Sequence, residues 1–319
     1  MVDYTLKQLG YFIAAAEHQS VTGAARALNL SQPSVSAAIA HLERVLGAQL
    51  FVRHHAQGLS LTAAGRRLLA EGRNLLAHAG DLMTQPGSDA EPVRGELDLG
   101  CFLTFSPFYV PGLLWAFRAR YPAVEVRLHE GDAEHLQRGL ATGALDVAIV
   151  YDLGLGPSFV RETLAELPAY ALLPRRHRLA LARTVALPAL AAEPFVLLDL
   201  PHSREYFQSI FLRFGLEPDI RYRTPSFEMV RGLVAHGLGV GLLNLRLPRD
   251  ESYDGQPIAC RPLREHTAPL RLVLARAGQV RPTRAAEAFA EVARDHFRTP
   301  RRDRGRRAKR PGHGVTIQS

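Results

Sequence analysis

Apolar residues recur at helical spacing from the start of the chain. Leu6, Leu9, Phe12, Ile13 and Ala16 fall on one stripe and predict a first helix. Ser20 is a good N-cap for a second, with Val21, Ala24, Ala25 and Leu28 facing inward. That pattern stops at Asn29-Leu30. Ser31 then caps a third helix with Pro33 in its first turn, where a missing amide hydrogen costs nothing. Its inward face is Val35, Ala38, Ile39 and Leu42. Two short helices joined by a tight turn make a helix-turn-helix. Past Leu46-Gly47, the runs Leu50-Phe51-Val52 and Leu59-Ser60-Leu61 flank a polar loop and predict a β-hairpin, the wing.

Thr62 can cap a long helix reaching about Met83, in which Leu68/Leu69, Leu75/Leu76 and Leu82/Met83 recur every seven residues. A helix of about 30 Å with such a seam needs a partner surface, and a second copy is the simplest. Leu68, Leu75 and Leu82 are therefore the expected dimerisation seam. The breaker-rich stretch from Gln85 to Pro92 marks a boundary. From Gly95 onward strand-like runs (97–102, 124–128, 145–150) alternate with helical ones (109–119, 133–140), a βαβαβ rhythm that argues a parallel sheet flanked by helices. A second set follows, with strands at 170–173, 195–198, 220–223 and 240–243 and helices at 203–214 and 227–236. A late strand at 270–274 and a helix at 284–296 can return to the first lobe, giving two α/β lobes with a cleft between them. The expected domains are 1–62, a winged helix-turn-helix; 63–92, linker helix and hinge; 93–298, a bilobal unit; and 299–319, a tail. Lobe I takes about 95–164 and 268–298, lobe II about 165–267.

Composition narrows the class. The length of 319 residues suits two or three domains, and 47% apolar with 22% charged residues is ordinary for a soluble globular protein. No apolar run is long enough for a bilayer, and Asp3, Lys7 and Gln8 interrupt any secretory pattern, so the expected location is the cytoplasm, on the nucleoid when DNA is bound. Cys101 and Cys260 form no disulfide framework and no metal-ligand spacing; ordinary buried thiols are favoured over a redox switch. The net charge of +8 is concentrated at the ends: residues 299–319 hold seven Arg/Lys against one Asp, and residues 1–80 hold seven against four acids. Basic ends around a nearly neutral middle fit nucleic-acid contact. The tail mixes basic residues with Pro and Gly and cannot bury a core, so disorder is expected there. No nucleophile elbow, P-loop, H-E-x-x-H or C-x-x-C is present, which speaks against an enzyme and against a cofactor or metal. Gly237, Gly239 and Gly241 fit a helix-to-strand turn rather than a dinucleotide fingerprint. A transport-type binding protein would share the lobes but has no use for a winged helix, and a DNA-organising protein needs no cleft.

The run from Ala24 to Ser36 (AARALNLSQPSVS), with Ile39, Leu42-Glu43, Leu46-Gly47, Leu50-Phe51, Arg53, Leu61-Thr62 and Ala64-Gly65, resembles the LysR-type transcriptional regulators. Residues 95–298, including the Gly237–Leu242 run, resemble that family's periplasmic-binding-protein-like effector domain, whereas the tail resembles nothing shared by the family. The resemblance implies a homodimer or a tetramer built as a dimer of dimers, double-stranded promoter DNA as partner, a small metabolite as effector, and activation or dual regulation. It leaves RNA polymerase open as a further partner.

For DNA, the third helix offers Gln32, able to pair bidentately with adenine, Ser34 and Ser36 for base edges or phosphates, and Ala37 for a thymine methyl. The family pattern matches at Ser31, Gln32, Pro33, Ser34 and Ser36, but many members carry arginine where this chain has Ala37, which shifts the expected base reading towards Gln32. Arg53 beside the wing is the expected phosphate or minor-groove contact, with Lys7 and Arg26 as further backbone contacts. In the bilobal unit, strand-to-helix junctions carry hydroxyls beside helix starts, which suits a carboxylate. Thr104, Ser106, His202, Ser203, Thr224 and Ser226 are the expected polar contacts, and Phe105 and Phe227 the expected cover for an apolar part. Each Ser or Thr is otherwise only a helix cap.

Overall fold

The computed structural model describes residues 3–54, 58–82 and 93–298; the expected wing tip, hinge and basic tail lie outside them. Helix α1 (Leu6–Glu17) opens on a capping box in which the Gln8 amide donates to the Thr5 hydroxyl and the Thr5 amide to the Gln8 side chain. Ser20 caps α2 (Val21–Ala27) and Ser31 caps α3 (Gln32–Leu46), each accepting from the amide three residues on. Gly47, at φ 62°, ends α3 in the left-handed region. The buried face is Leu9, Phe12 and Ile13 of α1, Ala24 and Ala25 of α2, and Val35, Ile39 and Leu42 of α3. Leu6 and Leu28, expected inside, are exposed because they begin α1 and cap the end of α2, where the helices overhang the core.

Strands β1 (Phe51–His54) and β2 (Gly58–Leu61) pair antiparallel, Arg53 opposite Leu59. The Glu43 carboxylate accepts from the Leu50 amide and so fixes the chain's entry into the wing, while the Leu59 amide donates to Gln19 O at 2.8 Å. Helix α4 (Ala63–Leu82) starts at Thr62, whose hydroxyl accepts from the Gly65 amide. A side chain at Gly65 would run into the Leu50 carbonyl oxygen, so close passage of α4 under the wing requires glycine there.

Beyond the hinge come β3 (Gly95–Phe102), α5 (Ser106–Arg120), β4 (Val124–Gly131), α6 (Ala133–Ala141), β5 (Val147–Tyr151) and β6 (Phe159–Leu167). Then follow β7 (Tyr170–Pro174), α7 (Leu187–Ala191), β8 (Pro194–Leu198), α8 (Ser203–Leu212), β9 (Asp219–Thr224), α9 (Phe227–Ala235), β10 (Val240–Leu243), β11 (Ile258–Pro262), β12 (Leu270–Ala277) and α10 (Arg284–Arg298). Two five-stranded sheets result, β4-β3-β5-β12-β6 in lobe I and β11-β7-β10-β8-β9 in lobe II. The late strand does return to lobe I, where β12 runs antiparallel between β5 and β6. Because β6 belongs to lobe I through Leu167, the first crossing falls at 168–169 rather than near 164. β6 and β11 are not predicted by the sequence pattern because Arg161, Glu162, Glu166 and Arg261 break their apolar signal, whereas the edge strands β4 and β9 keep an alternation of apolar and polar residues, Val124-Val126-Leu128 and Ile220-Tyr222, and are predicted.

Candidate DNA-binding face and interlobe cleft

Helix α3 turns Val35, Ala38, Ile39 and Leu42 wholly inward, and the opposite face leaves Gln32, Ser34 and Ala37 exposed and Ser36 half-buried. Ser31 is exposed at the cap, Pro33 fills the first turn, and the Ser31 and Ser34 hydroxyls bond each other at 2.7 Å. His41, on the same helix, is tied to the Asp3 carbonyl at 2.8 Å. Lys7 is exposed on α1 and Arg26 in the last turn of α2. Arg53 lies on β1, but its side chain is outside the described residues, as is that of Leu82.

The seven-residue leucine pattern resolves into three faces on α4. Leu69, Gly72 and Leu76 pack on α1, with Leu9 filling the space a side chain at Gly72 would need. Ala70, Arg73 and Asn74 face lobe I. Leu68 is half-buried at the rim of the winged-helix core, and Leu75 is 43% exposed.

Three contacts bring the lobes together. Phe108 of α5 meets Phe227 of α9 with ring centroids 5.8 Å apart. The His202 ring lies where a side chain at Gly154 would stand. The Tyr151 and Tyr206 phenols sense each other electrostatically across the junction. Thr104, Ser106 and Ser203 are buried here, and the Thr104 hydroxyl lies 3.3 Å from the Tyr151 hydroxyl. His202 precedes α8 in a left-handed conformation at φ 65°. Thr224 and Ser226 act as local caps, accepting from the Ser226 and Met229 amides.

Phe105 corrects the expectation. It is fully buried, stacked on Tyr109 at 4.6 Å with Phe297 beyond, and so belongs to the core between α5 and α10. Phe108, three residues on, takes the interlobe position instead. Phe227 is buried against it, so it can cover a ligand only as part of that aromatic pair.

Two side chains absent from the sequence reading stand out. Tyr206 Oη and Asn244 Nδ2 are buried with no hydrogen-bond partner among the described residues. Burial pushes the Tyr206 phenol up to about 12 and holds Tyr151 well above the usual phenol range, so both remain neutral donors. Asn244 had a legible signal, a polar residue directly after the carboxyl end of the apolar run Val240–Leu243. Tyr206 had none, since a tyrosine one turn into an amphipathic helix reads as core.

Residues 6–66 match the family of bacterial regulatory helix-turn-helix proteins of the lysR type, and residues 90–298 match the LysR substrate binding domain. The hydrogen peroxide-inducible genes activator of Pectobacterium carotovorum subsp. carotovorum is 30% identical over 252 residues, 78% of this chain and 83% of that protein. The HTH-type transcriptional regulator YnfL of Escherichia coli is 34% identical over 244 residues, 75% and 81% of the two chains. HinK, a LysR family transcriptional regulator from Pseudomonas aeruginosa, is 38% identical with a TM-score of 0.63, covering 92% of this chain and 99% of that one. A full-length OxyR variant from Pseudomonas aeruginosa is 25% identical with a TM-score of 0.71, covering 91% and 97%. No helix among the described residues is long and apolar enough to cross a membrane. With both the winged helix and the two-lobed domain matched, the chain belongs to the LysR family of DNA-binding transcriptional regulators.

Proposed function

We propose that this regulator reads promoter DNA through α3 and is controlled by a small carboxylate held between its lobes. One observation carries the effector part: the Tyr206 phenol, beside Tyr151 where the lobes meet, is buried with no hydrogen-bond partner among the described residues. An unsatisfied buried donor costs about 1–3 kcal/mol, which a ligand oxygen would recover. Ser203 and Ser226 stand at the starts of α8 and α9 and Ser106 at the start of α5, where helix amides favour an anion. Thr104, His202 and Thr224 complete the polar set, and Phe108 with Phe227 would cover an apolar portion. On the DNA side, Gln32 with Ser34, Ser36 and Ala37 reads bases, while Arg53, Lys7 and Arg26 hold the backbone. Two copies meet along the Leu68, Leu75 and Leu82 face of α4. The regulator acts as an activator or dual regulator, with RNA polymerase as its downstream contact.

Titration calorimetry of the full chain against a panel of cellular carboxylates tests the reading. One panel member should bind once per subunit and lose affinity in Tyr206→Phe. Binding of neutral or cationic metabolites alone would overturn the carboxylate assignment.

The peroxide-inducible relatives raise a second reading, thiol oxidation. The reactive species is an accessible thiolate. Cys101 is fully buried in β3, and burial drives its thiol far above the usual range; Cys260 is buried in β11 and pushed up to about 12. Neither is poised for peroxide, so equal promoter binding before and after peroxide treatment is expected.

A further inference from the structure

Helix α4 touches lobe I through its own backbone. Gly143, in the turn between α6 and β5, has φ 64°, and a side chain there would stand 2.9 Å from the Ala70 carbonyl oxygen and 3.0 Å from its Cα. Beside this contact Arg73 pairs with Glu17 of α1 at 2.8 Å and bears electrostatically on the Asp146 carboxylate of lobe I. Around it lies a cavity of about 570 Å³ between the winged-helix unit and lobe I, lined on one side by Glu17, Arg73 and Asn74 and on the other by Glu96, Asp98 and Asp146. A charged interface that leaves such a space is separable, unlike a packed core.

The same two strands reach both this contact and the cleft. At their starts, the Asp98 amide of β3 donates to the Asp146 carboxylate just before β5 at 2.8 Å. At their ends, Thr104 and Tyr151 hydroxyls are 3.3 Å apart. Three registered pairs, Leu99 to Cys101 beside Val147 to Ile149, roughly 10 Å of parallel ladder, lie between these two ends and join the seat of α4 to the cleft. We propose that the Ala70–Gly143 contact is a releasable latch: lobe I holds α4, and with it the winged helix, in one orientation, and lobe movement at the cleft changes that hold. What moves the latch rests on the cleft reading above; the latch itself does not, and its test needs no effector.

The test follows hydrogen exchange of the α4 amides in the full-length chain. A releasable hold should let those amides exchange through local opening, well before the two-lobed domain unfolds. Exchange of α4 only together with global unfolding would show a permanent joint and overturn the proposal. Gly143→Asn, which tolerates the left-handed backbone but adds the clashing atom, should speed α4 exchange without lowering the melting temperature of the two-lobed domain. Wild-type exchange in that variant would also overturn it.

Discussion

On α3 the side chains assigned to DNA stand on the open face of a helix whose other face is wholly buried, whereas between the lobes Thr104, Ser106 and Ser203 are buried, with His202 and Thr224 half-buried and Ser226 exposed at the rim. The difference follows from the partners. DNA is a large polyanion that comes to the protein, so its contacts can be solvated beforehand and the helix need only be held rigid. A small ligand must be enclosed, so its contacts are drawn out of the core inventory and depend on how two sheets meet. Substitutions should therefore separate into those that remove a scaffold and those that remove a contact, on each side of the hinge.

The largest effect is expected for the scaffold under α3. Leu42→Ala removes a fully buried side chain and should cost about 2–5 kcal/mol, abolishing binding to every duplex. Calorimetric melting should show the winged-helix transition lowered with that of the two-lobed domain unmoved; a shift of both would mean that the units fold as one.

The α4 seam comes next. Leu75→Glu places a charge on an already exposed position, so folding should survive while sedimentation reports dissociation of the dimer. A dimer of unchanged affinity would move the interface elsewhere.

In the cleft, Tyr206→Phe deletes a contact rather than a scaffold. Ligand affinity should fall by about 1 kcal/mol, while the ligand-free protein should melt no lower, because a buried hydroxyl without a partner has been removed. A lower melting temperature would show that the hydroxyl is already satisfied in the free protein.

The smallest effect is a pH dependence. Burial raises the Asp146 carboxyl above the ordinary carboxylate value; the amide bond from Asp98 and the charge of Arg73 oppose this, and the Asp98 and Glu96 carboxylates add to it. The folded state thus holds the proton more tightly than the unfolded chain, so stability present in acid is lost as pH rises from the ordinary Asp value through the raised one. Asp146→Asn keeps an oxygen to accept from the Asp98 amide without the charge, and its melting temperature should vary less with pH over that window, with stability at neutral pH equal or higher. Equal pH dependence in both proteins would remove Asp146 from this account.

How much of this could be read along the chain follows the same division. Ser20, Ser31 and the apolar stripe through Val35, Ile39 and Leu42 fix the helices locally, so the exposed Gln32 face followed by subtraction. The central strands of both lobes also showed, being continuous apolar runs. β6 and β11 did not, because charged residues interrupt them without the clean alternation that keeps the edge strands β4 and β9 legible, and the missing β6 displaced the lobe boundary. Phe105 and Phe108 are three residues apart in one apolar stretch, and only the packing of α10 decides which is core and which faces lobe II. Likewise, no local pattern distinguishes Leu75 from Leu76, yet one is open to a partner and the other covers α1.

The central claim is that α3 supplies sequence information while the wing supplies grip. It is tested most directly by titrating Gln32→Ala and Arg53→Ala against the promoter adjoining the gene and against scrambled DNA at several salt concentrations. Loss of a bidentate adenine contact in Gln32→Ala should cost roughly 1–3 kcal/mol on the promoter alone. Arg53→Ala should weaken both duplexes together and reduce the salt slope by about one unit. If Gln32→Ala weakened promoter and scrambled DNA equally, the base-reading role of α3 assigned to it would be contradicted.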